Sequence, residues 1–382
     1  MPHLRNRAIL PKLLKILTFF PVVAIQGARQ TGKSVLAREL LSKELKNSSY
    51  VTFDDFHTRK EASESPRTFL TGKKDASPFI IDEAQMVPEI FNAIKFQVDQ
   101  QRIPGSYLLL GSTEFSKLAK IRESLTGRLG RIRLYPLTLR ETCNNNHHAL
   151  TQEDVQRYLK NGGMPGIFSI REDEAKTSLF DDWIDLVVRR DIHEFKTVRL
   201  EGDICREILR LCCELEAPTQ AELARKLHVS TRSTQKHLEA LTELFVLQKL
   251  LPHPLGTGKP IFLPLDTGIA HHLGAPLLKR LQIWVMNERL AHNTYFESKR
   301  STFYYYSSKA KTRIHLIESR ADRTEIAYQC FDRETIKKTD AVLMQSFLTK
   351  NPKAQGMVLA PLLEPTDRLG ISFRPWCSLV AD

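Results

Sequence analysis

The stretch Val22–Leu40, VVAIQGARQTGKSVLAREL, decides how the rest of the chain is read. Four apolar residues, Val22 to Ile25, run into a loop bounded by Gly27 and Gly32, and the loop runs into a segment with helical apolar spacing (Val35, Leu36, Leu40, Leu41). Gly27-Ala28-Arg29-Gln30-Thr31-Gly32-Lys33-Ser34 satisfies G-x-x-x-x-G-K-[ST] at every fixed position. The spacing has a chemical reason. Successive backbone N–H groups form an anion-binding concavity, and glycine lets that backbone approach phosphate oxygens closely. All eight residues are therefore expected at a nucleotide, with Lys33 on the β- and γ-phosphates and Ser34 on Mg²⁺. The helix that follows aims its N-terminal dipole at the same phosphates. Such an octet also arises in ordinary turns, but a β-branched run before it and a helix after it select the nucleotide loop.

The loop predicts a partner strand carrying acid, and SPFIIDEAQ supplies one: a short apolar strand (Phe79, Ile80, Ile81) ending in Asp82-Glu83. Carboxylates at the carboxyl end of a parallel strand stand where open α/β sheets bind ligands. Asp82 is expected to hold Mg²⁺ and Glu83 to act as general base on the attacking water. A third strand, SYLLLGST, ends in Ser112-Thr113, hydroxyls placed to feel the γ-phosphate. The fold class that follows is α/β, a P-loop αβα sandwich on a parallel sheet, with ATP and Mg²⁺ as its cofactors.

Length allows more than this one unit. The chain has 382 residues, room for roughly two to three domains. Its 42% hydrophobic and 26% charged content is ordinary globular usage, which argues against disordered and fibrous classes. The apolar stretch ILTFFPVVAI is too short to span a membrane and lacks a small-residue cleavage site, so the expectation is a cytoplasmic protein with no membrane partner. Six cysteines form no C-x-x-C pair and read as buried reduced thiols. A formal net charge of +12 points to a polyanionic partner, phosphate or nucleic acid.

The segments GARQTGKS, FDD (Phe53–Asp55), IIDEAQMVPEIF, LLLGST, ESLTGRLGRIRLYPLTLRE and NGGMPGIF follow one another in order. Through them the sequence resembles the predicted AAA-type ATPases of bacteria and archaea. Those chains carry a P-loop domain, a winged helix and a C-terminal domain of unknown function with a restriction-endonuclease-like core. The resemblance implies an ATP-binding domain, ring or chain assembly, and no defined substrate; the C-terminal quarter shares it only loosely. Lys117 to Arg140 holds seven basic residues (Lys117, Lys120, Arg122, Arg128, Arg131, Arg133 and Arg140) against Glu123 alone. In the family context Arg128, after LTG, resembles the arginine that reaches the γ-phosphate, in its own or a neighbouring subunit. A solvated basic face or a nucleic-acid contact remains open for it.

The expected organisation is an ATPase domain at 1–145, a helical lid or linker at 146–200, a winged helix at 201–253 and a nuclease-like α/β domain at 254–382. In the third unit, APTQAELARKLHVSTRSTQKHLEALTELFVLQKLLPH reads as helix-turn-helix followed by an apolar strand pair, with Ala224 at the helix crossing and His228 at the turn, where glycine is usual. Thr231, Arg232 and Lys236 are its candidate DNA contacts. Five Lys or Arg against three Glu between Pro218 and His253 make a thin phosphate-tracking surface, so a packing role stays open. In the last unit the resemblance implies a Mg²⁺ site built from a helix Glu, a strand Asp and an E-x-K. Glu288 matches the first, but His315 stands at the second and Tyr328-Gln329-Cys330 at the third, with Lys309 and Lys311 too far upstream. A retained fold without cleavage is expected, Glu318 and Glu325 being the next carboxylates to consider.

Two functional classes follow. One is an ATP hydrolase whose cycle moves the later domains on DNA or a protein partner; the other is a nucleotide-gated binding module with negligible turnover. Glu83 favours the first, and the winged helix argues against a compact P-loop kinase. Homo-oligomerisation is left open.

Overall fold

The structure is a computed structural model that describes residues 4–72, 77–115, 125–143, 149–194, 200–308, 312–362 and 364–380. Strands β1 (Val22–Gln26), β2 (Ser49–Thr52), β3 (Phe79–Asp82), β4 (Tyr107–Gly111) and β5 (Leu129–Arg133) form a parallel sheet in the order β2-β3-β4-β1-β5. Every residue of β1, β3 and β4 is buried, as unbroken apolar runs require when helices cover both faces. The pleat divides β1 between two cores. Val23 and Ile25 pack with Leu13 and Leu36, whereas Val22 and Ala24 pack with Phe91 and Ile94.

After the loop the chain is helical from Lys33 to Glu44, widening to a π-helical turn over Leu36–Leu41. Leu36, Leu40 and Leu41 are buried as expected, but Val35 is 49% exposed. The apolar stripe is instead completed by Ala37, four residues before Leu41.

Helices Asp173–Arg189, Gly202–Glu214, Gln220–Leu227 and Thr231–Glu243 follow, then β6 (Leu247–Pro252) and β7 (Ile261–Pro264), paired antiparallel. His228 joins two of these helices with φ 56° and ψ 33°, the left-handed conformation that disfavours a side chain. Cys205, Cys212 and Cys213 are buried on the Gly202–Glu214 helix, while Cys143 and Cys377 are only partly buried; all six are free thiols. Beyond lie a helix Leu277–Tyr295, strands β8 (Thr302–Ser307), β9 (Arg313–Ser319) and β10 (Glu325–Cys330), a helix Lys338–Lys350, and strands β11 (Ala354–Ala360), β12 (Thr366–Arg368) and β13 (Ile371–Pro375). The second sheet has the order β12-β13-β11-β10-β9-β8-β6-β7. It crosses the boundary expected at 253/254, because Leu251 and Pro252 pair with Tyr304 and Tyr305.

Buried carboxylates join the two halves of the molecule. Glu288, on the Leu277–Tyr295 helix, accepts hydrogen bonds from the Leu139 N–H at 2.7 Å and the Trp284 indole at 3.1 Å. Burial pushes its carboxyl up to about 7, opposed by those two donors and reinforced by the charge of Glu141. Folding therefore favours the neutral form: the resulting stabilisation is complete below the ordinary value of 4.5 and is lost as pH rises through about 7. Urea unfolding of wild type and Glu288→Gln between pH 5 and 8 checks this. Wild type is expected to lose on the order of 1–3 kcal/mol relative to the uncharged variant across that window. Parallel profiles would show that Glu288 does not titrate there.

Candidate functional site

The carboxyl ends of β1, β3 and β4 meet at the loop Gly27–Ser34. A Cβ on Gly27 would fall 2.3 Å from the Leu134 carbonyl oxygen, and Gly32 takes φ 91°, so both glycines are demanded by backbone geometry. Gln30 is exposed at the loop tip with φ 62°. Thr31 is buried and donates its hydroxyl to the Ala28 carbonyl at 2.8 Å. Ala28 packs into the helical core beside Met164 and Trp183. Arg29 turns away from the loop to form a two-pronged pair with Asp191 at 2.7 and 2.8 Å, and its carbonyl accepts from the Trp183 indole at 3.2 Å. Burial raises the Asp191 carboxyl, and the guanidinium opposes that rise.

Lys33 is buried, its ammonium donating to the Gly27 and Ala28 carbonyls at 2.9 Å each. Burial holds it below its ordinary pKa, and the charges of Glu83 and Asp82 oppose that fall. The Ser34 hydroxyl donates to Asp82 Oδ2 at 2.5 Å, and the Tyr50 hydroxyl donates to the same oxygen at 2.6 Å. Burial, then the bond to Asp82, raises the Tyr50 phenol well above its usual value. Ser34 and Asp82, the two expected Mg²⁺ ligands, are thus in contact and present hard oxygen donors, the set a small divalent cation takes.

Glu83, just past the end of β3, takes the left-handed conformation, φ 52° and ψ 43°. That turn brings its Oε2 to the Ser112 hydroxyl at 3.1 Å and to Gln85 Nε2 at 2.5 Å. The expected base and the expected γ-phosphate hydroxyl are therefore directly bonded. Thr113 is buried beside them; its carbonyl accepts from Gln26, and its hydroxyl has no partner among the described residues.

Arg128 lies elsewhere. Its carbonyl accepts from the Val22 N–H at the amino end of β1, and its guanidinium pairs with Asp99 at 2.5 Å. The five residues of β1 put about 16 Å between that end of the sheet and the loop. In this arrangement a phosphate at the loop of the same chain lies beyond the reach of its side chain. Lys117, Lys120, Arg122 and Glu123 lie outside the described residues, as do Lys309 and Lys311. Thr231, Arg232 and Lys236 are exposed at the start of the Thr231–Glu243 helix.

The C-terminal carboxylates are not gathered. Glu288 faces Leu139, Glu318 pairs with Arg289 at 2.9 Å, and Glu325 meets His253 at 3.2 Å. His315 accepts the Cys330 N–H at 2.9 Å, and burial lowers its pKa to about 4, which keeps it neutral.

Sequence reasoning missed Arg7. Its guanidinium donates to Thr31 O at 2.8 Å, Tyr135 O at 2.7 Å and Glu141 Oε1 at 3.2 Å, so it fixes the loop from behind. Nothing local marks it, because those partners lie 24, 128 and 134 residues away. Gln85 was readable in principle, two residues beyond Glu83 in DEAQ.

Residues 20–143, which hold this sheet and loop, match the family model described as an AAA domain; residues 152–279 match a domain of unknown function, DUF8612. Two curated relatives, uncharacterized proteins of Mycobacterium bovis and Mycobacterium tuberculosis, are each 28% identical over 277 residues, which is 71% of this chain. The chain spans 60% of the length of those relatives. Among solved structures, the Walker-type ATPase of Pyrococcus abyssi is 14% identical, covers 69% of this chain and 93% of its own, and has a TM-score of 0.41. A signal-transduction ATPase with a tetratricopeptide-repeat sensor from Pyrococcus horikoshii is 15% identical, with coverage of 76% and 46% and a TM-score of 0.32. Likeness at these scores adds nothing to what the sheet and loop already display. The AAA match over the parallel sheet supports an AAA-type P-loop ATPase domain at the amino-terminal end.

Proposed function

We propose that the chain binds ATP with Mg²⁺ at Gly27–Ser34 and hydrolyses it, using nucleotide state to move the later domains on DNA or a protein partner. The observation that carries this reading is the convergence of Lys33, Ser34, Asp82, Glu83 and Ser112 at three adjacent strand ends. The loop N–H groups cradle phosphate, and Lys33 exchanges its two loop carbonyls for phosphate oxygens. Mg²⁺, when bound, would be held by Ser34 and Asp82 and supplies charge neutralisation at the phosphates. Glu83 takes a proton from the attacking water, while Ser112 orients its carboxylate. A second reading, a nucleotide-gated module with slow turnover, is favoured by the hold that Gln85 and Ser112 already have on Glu83 Oε2.

The segment 201–253 is proposed as a winged helix, supported by three helices leading into β6, which pairs antiparallel with β7, with exposed Thr231, Arg232 and Lys236 available to DNA. The helix–three strands–helix–strand order from Leu277 to Ala360 supports a nuclease-like core. We propose that it does not cleave, because Glu288, Glu318 and Glu325 are each committed to another partner. Purified protein with Mg²⁺ or Mn²⁺ is expected to leave plasmid and single-stranded DNA intact on gels; cleavage lost in Glu318→Ala would overturn this.

Labelled-ATP binding and phosphate release test the central claim. Lys33→Ala is expected to abolish ATP binding, whereas Glu83→Gln keeps wild-type affinity and loses turnover by about a hundredfold or more. Equal affinity in both variants would refute the role given to Lys33, and undiminished phosphate release by Glu83→Gln would refute the base.

Arg128 is proposed to act across a subunit boundary. Arg128→Ala should lower turnover with little change in ATP affinity. Stability should hardly move, since an exposed pair with Asp99 contributes at most about 1 kcal/mol. Mixing this variant with Glu83→Gln should restore part of the activity, and no recovery at any ratio counts against a trans finger.

A further inference from the structure

A cleft of about 310 Å³ opens on the outer edge of the first sheet. It is walled by β5, by the Leu10–Leu17 helix and by the end of the Leu277–Tyr295 helix with the segment after it. Its size is at the lower end of small-molecule sites. Four cations reach it from three separate parts of the chain: Lys12, Arg131, Arg133 and Arg300. The one carboxylate on its wall is Glu297, and Lys12 bonds that residue's carbonyl at 2.9 Å rather than its acid.

None of the four cations has an ion pair among the described residues, whereas about half of the other described arginines do. Arg133 is held most firmly. Its guanidinium lies between the Tyr135 and Phe245 rings, at 4.6 and 4.7 Å from their centroids, and Nη1 donates to Gln248 at 2.8 Å. Its Nε is buried with no partner among the described residues. A guanidinium fixed by stacking, with a donor left over, is preorganised for an oxyanion. Ile16, Leu290 and Phe303 give the same cleft an apolar floor.

We infer that this cleft binds a phosphate ester, its anion on the Arg131, Arg133 and Arg300 guanidiniums and Lys12, its apolar or ring portion on Phe303. Like charges drawn together at a folded edge repel one another, and a bound dianion turns that repulsion into attraction. The ester can come from a free nucleotide or from a nucleic-acid strand. Because the site joins the edge of the ATPase sheet to the C-terminal helix, its occupant would bridge the two halves of the chain.

The test uses the full chain carrying Lys33→Ala, so that the nucleotide loop makes no contribution and the fate of its own assignment is read separately. Equilibrium dialysis with labelled AMP is expected to show one site per chain, weakened about tenfold or more by Arg131→Ala with Arg300→Ala. Both residues are exposed, and single Lys12→Ala, on a different element, should weaken binding in the same direction. If AMP is silent but a short oligothymidylate binds with the same dependence and a steep salt slope, the ester is a nucleic-acid phosphodiester and the site stands. Binding of neither probe, or binding unchanged in the Arg131/Arg300 variant, overturns it.

Discussion

The ion pair between Arg7 and Glu141 is the contact on which the rest of the molecule depends. Both side chains are buried, and a buried pair is tolerated only when its remaining donors and acceptors are filled. Here they are. Glu141 also accepts from the Ala8 N–H at 2.7 Å and the Thr138 N–H at 2.9 Å, while Arg7 spans the Thr31 and Tyr135 carbonyls. One guanidinium thus joins the amino-terminal segment, the nucleotide loop and the turn after β5. Losing either partner would leave a charge stranded in the core, a defect that costs about 3–5 kcal/mol.

From that pair the connection runs on to the C-terminal half through backbone groups. Thr138 and Glu141 cap the short Leu139–Thr142 helix, and the free N–H of Leu139 at its start is taken by Glu288. Tyr295, about two turns further along the same helix face, accepts the Tyr135 N–H at 2.9 Å. Asp266 does the same for Gly163, Gly268 and Ile269, with burial raising its carboxyl against those donors. Loop position and C-terminal helix position are therefore linked by short, directional bonds instead of by apolar contact alone. Thr31, Arg7 and Glu141 thus form one chain of bonds that reaches the turn held by Glu288 and Tyr295.

What could be read from the sequence is what is local. The octet Gly27–Ser34, the Asp82-Glu83 strand end and Ser112-Thr113 each declare their chemistry within a few residues, and parallel-sheet geometry brings them together with little freedom. In the C-terminal half the helix of Glu288 and the strands at His315 and Gln329 were legible, whereas the Lys338–Lys350 helix and β11, β12 and β13 were not read. Partners distant in sequence were not: Arg29 meets Asp191 across 162 residues, and no periodicity announces it. Arg128 shows the limit from the other side. A motif gives the residue but not the end of the sheet, and strand order alone places it at the amino edge.

Glu288 shows why a residue's chemistry cannot be taken from its alignment with a motif. A carboxylate on a helix beside a mixed sheet suits a cation only if other carboxylates face it, and here Glu318 is matched to Arg289 and Glu325 to His253. Lacking such neighbours, a buried carboxyl lowers its energy by accepting N–H donors, as Glu288 does, while burial holds its pKa up at about 7. Glu288 is an attachment point for the ATPase domain. The long helix is consequently set by the turn that Arg7 and Glu141 organise, so the nucleotide loop and the C-terminal sheet share one mechanical frame.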